Sequence, residues 1–223
     1  MTGDRRIRAL LFDLDGTLID SAPDLAGAAN DMRVERGLEA HPLAHFRPMV
    51  GAGARGMMAQ AFGIGPQDET FLPLRDEFLR RYEARMTRET CVFPAMAAVL
   101  EVLAERGIPW GIVTNKAARF AEPLVRALGL MPPAATLVCG DTTPYSKPHP
   151  EPLREAARRL RVGAAECAYV GDDLRDVEAG RAAGMMTVVV RWGYHGLGSP
   201  VEAWGADQVI DAPEDLLRLL PMA

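Results

Sequence analysis

Two carboxylates two residues apart, Asp13 and Asp15, close the first apolar run of this chain in the string Leu11-Phe12-Asp13-Leu14-Asp15-Gly16-Thr17-Leu18. The run from Ile7 to Phe12 is bulky and apolar without a helical period, which predicts a buried strand. Such a strand does not ordinarily end in two like charges, because repulsion and lost hydration both cost free energy. Something positive must neutralise them. The carboxyl edge of an open α/β sheet is where ligands bind, and hard carboxylate oxygens there suit Mg²⁺. The alternative for the same string, less favoured, is an Asx-turn leaving a strand.

Three further stations carry related chemistry. Val113-Thr114-Asn115 follows an apolar run from Trp110. A hydroxyl and backbone amides at a strand end that opens into a helix form an anion site; Thr114 alone would equally serve as an N-cap. Lys116, next in line, reads as solvated. Lys147 stands in Ser146-Lys147-Pro148-His149-Pro150, where the prolines impose a rigid non-helical loop. His149 lacks a visible partner and reads as structural or exposed. Finally, Val170-Gly171-Asp172-Asp173-Leu174-Arg175-Asp176 ends another apolar run in carboxylates. Asp173 suits an N-cap, and Asp176 lies one helical turn beyond Asp172.

The elements that must position these residues are legible as pattern. Ser21-Ala22-Pro23-Asp24 predicts a capping box and a helix to Arg36, stopped at Gly37. From Asp20 to about Arg88 there is no convincing strand; Met57–Phe62 and Leu72–Arg85 read as amphipathic helices. From Cys91 on, helix and strand alternate. Helices are expected at Ala95–Arg106, Ala117–Leu128, Glu151–Leu160, Arg175–Ala183 and from Pro213. Strands are expected at Pro109–Val113, Thr136–Cys139, Cys167–Val170, Thr187–Arg191 and Gln208–Ile210. The alternation predicts an α/β fold with a Rossmann-like, mainly parallel sheet. Residues 1–18 and 89–223 would form that core. Residues 19–88 would form an inserted all-helical cap over the mouth where Asp13 and Asp15 sit.

Composition narrows the function classes. The 223 residues are 48% hydrophobic and 25% charged, with a net charge of −5. That balance gives no electrostatic footprint for nucleic acid or an anionic membrane surface. No apolar run approaches a bilayer span, and Met1–Arg6 lacks a signal-like apolar region. The three cysteines fit neither a disulfide framework nor a zinc site; Cys139 and Cys167 read as buried small hydrophobes. A cytoplasmic protein acting on a small metabolite is expected.

The four motifs together resemble those of the haloacid dehalogenase superfamily of phosphohydrolases, over nearly the whole chain. The resemblance implies Asp13 as nucleophile and Asp15 as general acid and base. It implies Mg²⁺ held by Asp13, Asp172 and the Asp15 carbonyl. Thr114 and the Asn115 amide would bind the phosphoryl group, Lys147 would neutralise it, and Asp176 would orient Lys147 or nearby water. The Val113–Lys116 and Trp192-Gly193-Tyr194 segments look like the phosphoglycolate phosphatase branch. Arg119-Phe120-Ala121-Glu122-Pro123, the Gly171–Asp176 string and Trp204-Gly205-Ala206-Asp207 look like bacterial N-acetylmuramic acid 6-phosphate phosphatases of cell-wall recycling. A hexose-phosphate mutase shares the four motifs. A dehalogenase would lack Asp15, and a receiver domain would need only about half this length and no cap.

Gly51-Ala52-Gly53-Ala54-Arg55-Gly56 fits G-x-G-x-x-G, yet it lies inside the helical insert and after Pro48, outside any βαβ unit. It reads instead as a cap loop dipping toward the mouth, with Arg55 as a candidate substrate-binding residue. Methionine pairs such as Met57-Met58 read as core filler.

Overall fold

The first apolar run folds as β1 (Ala9–Phe12), with all four residues buried. The chain then forms the two-residue β2 (Ile19–Asp20) and enters α1 (Ala22–Glu35), α2 (Leu43–Phe46), α3 (Gly53–Phe62) and α4 (Phe71–Glu83). It returns through β3 (Cys91–Val92), which pairs antiparallel with β2. The remainder alternates: α5 (Pro94–Glu105), β4 (Trp110–Val113), α6 (Ala118–Ala127), β5 (Thr136–Val138), α7 (Glu151–Leu160), β6 (Cys167–Gly171), α8 (Leu174–Ala183), β7 (Met186–Val190) and β8 (Gln208–Ile210). This computed structural model describes residues 6–220. The leader reading therefore falls largely on residues outside the described ones. No helix among the described residues is long and apolar enough to cross a membrane.

Six strands form one parallel sheet in the order β5-β4-β1-β6-β7-β8. Its strands send alternate residues to opposite faces. Leu10, Phe12, Ile112 and Val170 pack against Val99 and Leu103 of α5 and Leu124 of α6. Leu11, Val113 and Tyr169 pack against Leu153 and Ala156 of α7 and Ala179 of α8. Burial on both faces explains why these strands read as continuous apolar runs. The expected α/β fold with a Rossmann-like parallel sheet is the fold observed.

Helices α1 to α4 enclose an apolar cluster of their own around Met32, Phe46, Met57, Met58, Phe78 and Tyr82, which also takes in Phe120 and Tyr194 from the sheet side. Three local expectations need correction. The β2–β3 pair flanks the insert but is too short to carry a periodic signal. Residues Arg47–Ala52 form a 3-10 helix, as do Pro213–Leu219 where an α-helix was expected. Ser21 and Asp24 do not form a capping box: Ser21 is already helical, with φ −98° and ψ −3°, and its side chain caps nothing.

Asp24 has other partners. It is fully buried, and its Oδ2 accepts hydrogen bonds from the Glu89 N–H at 3.0 Å, the Thr90 N–H at 2.9 Å and the Thr90 hydroxyl at 2.8 Å. Arg85 approaches Oδ1 at 3.5 Å and also reaches Asp31 and Glu89. One carboxylate thus ties the entry of the insert to its exit. Asp24→Ala would strand those donors and leave Arg85 without its buried partner. The expected loss is about 3 kcal/mol of unfolding free energy in urea titration. A loss below about 0.5 kcal/mol, the range of ordinary surface changes, would show that the tie is dispensable.

Candidate active site

At the carboxyl ends of β1 and β6 the backbone delivers Asp13, Asp15 and Asp172 to one cavity of about 350 Å³. Thr114, Asn115 and Lys116 come from the end of β4, and Lys147 from the loop before α7. Asp173, Arg175 and Asp176 come from the start of α8, and Gly51–Ala54 from the helical layer. Leu25, Val50, Phe78, Leu79 and Phe120 supply apolar wall. Four sequence stations spread from Asp13 to Asp176 therefore meet at the sheet's switch point.

Lys147 is the centre of the cluster. Its Nζ lies 2.8 Å from Asp13 Oδ1, 2.7 Å from Asp176 Oδ1 and 2.7 Å from the Tyr169 hydroxyl. Tyr169 in turn donates to the Val113 carbonyl at 2.8 Å. Burial works against the ammonium, but the charges of Asp13 and Asp176 outweigh it and raise the Lys147 pKa. The loop that presents Lys147 is gripped by the Asn115 side chain. Its amide donates to the Lys147 carbonyl at 2.9 Å and its oxygen accepts the Lys147 N–H at 2.9 Å.

Asp176 uses both oxygens. Oδ1 faces Lys147, and Oδ2 accepts the Asp173 N–H at 3.0 Å, while Asp173 caps α8 by accepting the Arg175 N–H at 2.9 Å. Asp172 accepts from the Thr17 hydroxyl and the Tyr194 N–H, both at 2.8 Å. Its surroundings admit no side chain: a Cβ on Gly16, where φ is +85°, would fall 2.2 Å from Asp172 Oδ2. Thr114 is buried in the cavity wall and does not cap α6, whose N-cap is Ala117.

Two residues depart from expectation. Lys116 is not solvated. Its ammonium stands 2.9 Å and 3.1 Å from the two oxygens of Asp15 and 4.9 Å from the centroid of the Tyr82 ring. Ser21 completes this grip by donating to Asp15 at 2.5 Å. Arg55, in contrast, is exposed and does not line the cavity. The helical turn at α3 carries its side chain outward while Gly51–Ala54 face in. Arg175 is the arginine that lines the cavity. His149 is exposed and stacked on Tyr145, with ring centroids 4.0 Å apart.

The donor set fits a hard divalent cation. One oxygen each from Asp13, Asp172 and Asp176 lie within 4.8 Å of one another. Five carboxylates line the cavity against three cations, Lys116, Lys147 and Arg175. Burial pushes the Asp13 carboxyl up to about 6 despite Lys147, with Asp176 and Asp15 adding to the rise. Burial, then Asp13 and Asp176, pushes Asp172 well above the usual carboxylate range. With Asp176 occupied by Lys147, Tyr169 and a backbone amide, Asp13 and Asp172 are the carboxylates with capacity left.

The chain matches the family model for haloacid dehalogenase-like hydrolases over residues 10–190. It belongs to that family. Among relatives of this haloacid dehalogenase-like hydrolase, the N-acetylmuramic acid 6-phosphate phosphatase of Pseudomonas putida is 44% identical over 219 residues, 98% of each chain. The phosphoglycolate phosphatase of Xanthomonas campestris pv. campestris is 45% identical over 212 residues, 94% of each chain. The crystal structure of a predicted phosphoglycolate phosphatase from Haemophilus somnus shares the fold, with a TM-score of 0.83 at 24% identity, covering 98% of this chain and 99% of that one. The haloacid dehalogenase-like chain described here is a phosphatase.

The raised carboxyls set a pH test. Between the ordinary Asp value of 3.8 and about 6, native Asp13 keeps a proton that the unfolded chain has lost, so stability falls as pH rises through that window. A divalent cation competes with that proton. MgCl₂ should raise the melting temperature of the purified protein more at pH 7.5 than at pH 5. A shift of equal size at both pH values would contradict this electrostatic account.

Proposed function

We propose that this phosphatase hydrolyses a small phosphate monoester through an aspartyl-phosphate on Asp13, with Mg²⁺ as cofactor. The observation that carries the reading is Asp13 itself, half-buried and paired with Lys147 beside Asp172 in the cavity. An Asp13 oxygen attacks phosphorus as the ester P–O bond breaks, and Asp15 delivers a proton to the departing alkoxide. Water then attacks the acyl-phosphate and gives its proton to Asp15, releasing inorganic phosphate and restoring Asp13. The Thr114 hydroxyl, the Asn115 amide and Lys147 hold the phosphoryl oxygens, where charge neutralisation and positioning do most of the catalysis. Mg²⁺, held by Asp13, Asp172 and the Asp15 carbonyl, would add neutralisation of the same oxygens.

Residues 19–88 act in this proposal as a cap that covers the mouth and keeps bulk water from the reacting groups. The apolar wall of Leu25, Val50, Phe78, Leu79 and Phe120 extends the cavity beyond what a phosphoryl group needs. The relatives named above offer two substrates, N-acetylmuramic acid 6-phosphate and 2-phosphoglycolate. The volume and the apolar wall favour the amino-sugar ester, whose acetyl and lactyl methyl groups need such surface; the two-carbon acid leaves most of it unfilled. The expected location is the cytoplasm, where either ester would be met.

Initial rates of phosphate release from both esters and from p-nitrophenyl phosphate test the proposal. Turnover should require Mg²⁺ and stop after EDTA. Asp13→Asn should reduce kcat by at least about 10³-fold with an unchanged circular dichroism spectrum, because an amide oxygen cannot form the acyl-phosphate. Activity within about tenfold of the parent would remove Asp13 from the nucleophile's role.

A further inference from the structure

Of the three cations in the cavity, two are already occupied. Lys147 donates to Asp176 and Tyr169 and pairs with Asp13. Lys116 faces both oxygens of Asp15 under the Tyr82 ring. Arg175 differs. Its Nε and Nη2 each lie 2.7 Å from an oxygen of Asp173, and Nη2 also donates to the Gly51 carbonyl at 2.5 Å. Its Nη1 donates to nothing among the described residues, and 38% of the side chain is exposed. The guanidinium thus bridges the carboxylate loop after β6 and the Gly51 loop of the helical layer, with one terminal nitrogen uncommitted. The approach is close: a Cβ on Gly51 would lie 3.2 Å from Asp173 Oδ2 and 3.7 Å from Arg175 Nη2.

We infer that Arg175 binds a carboxylate on the leaving group of the substrate through Nη1, so that the site selects phosphate esters carrying a second anionic group. The inference rests on the phosphatase reading above and deepens it. A second anion entering a cavity with five carboxylates is repelled unless an oriented cation meets it. A guanidinium is suited to the task, because its plane is fixed by Asp173 and Gly51 before substrate arrives and its free N–H groups match a carboxylate. That fixed plane lowers the ordering cost of the contact. Arg175 is thereby a specificity-determining residue. It takes the role that the sequence pattern suggested for Arg55.

The test compares esters that differ in the carboxylate: 2-phosphoglycolate with 2-hydroxyethyl phosphate, and N-acetylmuramic acid 6-phosphate with N-acetylglucosamine 6-phosphate. In Arg175→Ala, kcat/KM should fall about 30-fold or more for the carboxylate-bearing member, mainly through KM, and less than about threefold for its neutral partner and for p-nitrophenyl phosphate. Arg175→Lys, which keeps the charge without the planar fork, should fall between. It also reports on specificity should the alanine variant fail to fold. Equal losses on both members of a pair overturn the inference. So does a parent enzyme that cleaves p-nitrophenyl phosphate and the neutral esters as well as the acids. A parent that cleaves no phosphate ester at all would instead remove the phosphatase reading on which the inference stands.

Discussion

A buried ammonium surrounded by carboxylates is the interaction on which this molecule is organised. Neither Lys147 nor the pair Asp13 and Asp176 would be tolerated alone in the dry space between β1 and β6, since an unpaired buried charge is expensive and breaking such a pair costs several kcal/mol. Together they form a cluster of mutually compensating charges, in which Asp13 Oδ1 is held by the Lys147 charge alone. Tyr169 takes the third donor of Lys147, Asn115 clamps the loop that delivers it, and Asp176 closes the first turn of α8. The strain that remains falls on Asp13 and Asp172, whose carboxyls burial and their neighbours' charges push above the usual carboxylate range.

The fold supplies this arrangement through a central strand. β1 is flanked by β4 and β6, so the residues just beyond its carboxyl end have neighbours on both sides. Asp15, one step further out, belongs as much to the helical layer as to the sheet. Ser21 at the start of α1 and Lys116 beneath Tyr82 of α4 both hold it. Tyr194 adds a second tie: its N–H fixes Asp172, while its hydroxyl accepts the Ser21 N–H and bonds Asp20 of β2. The mouth is therefore framed by residues from both layers.

Much of this was legible in the sequence, and the reasons are physical. Parallel strands buried on both faces leave continuous apolar runs, and Gly107, Gly129 and Gly184 mark the left-handed turns after α5, α6 and α8, so the sheet could be read almost residue by residue. Asp13 and Asp172 stand at strand ends and Lys147 in a proline-braced loop, where pattern and chemistry coincide. Partner choice was not legible. Lys116 reads as a surface cation because nothing local reveals that Asp15 and Tyr82 close around it. Ser21 and Asp24 match a local cap pattern, yet their oxygens are engaged elsewhere, by Asp15 and by Thr90. Arg55 reads as a cap residue near the mouth, but the rotation of α3 turns it outward, and rotation about a helix axis is set by packing.

The place of β1 in the sheet has a consequence in time. The strand leaves the ribosome first, but Leu10 pairs with Trp110 on one side and with Ala168 on the other. The intervening α1 to α4 pack mostly on one another, within residues 22–83, and can assemble early, whereas β1 must wait until β6 has been synthesised before it is enclosed. An apolar strand ending in acid is thus held without partners through most of synthesis. The carboxylates that repel one another are brought together only when the chain that carries their counter-charge already exists.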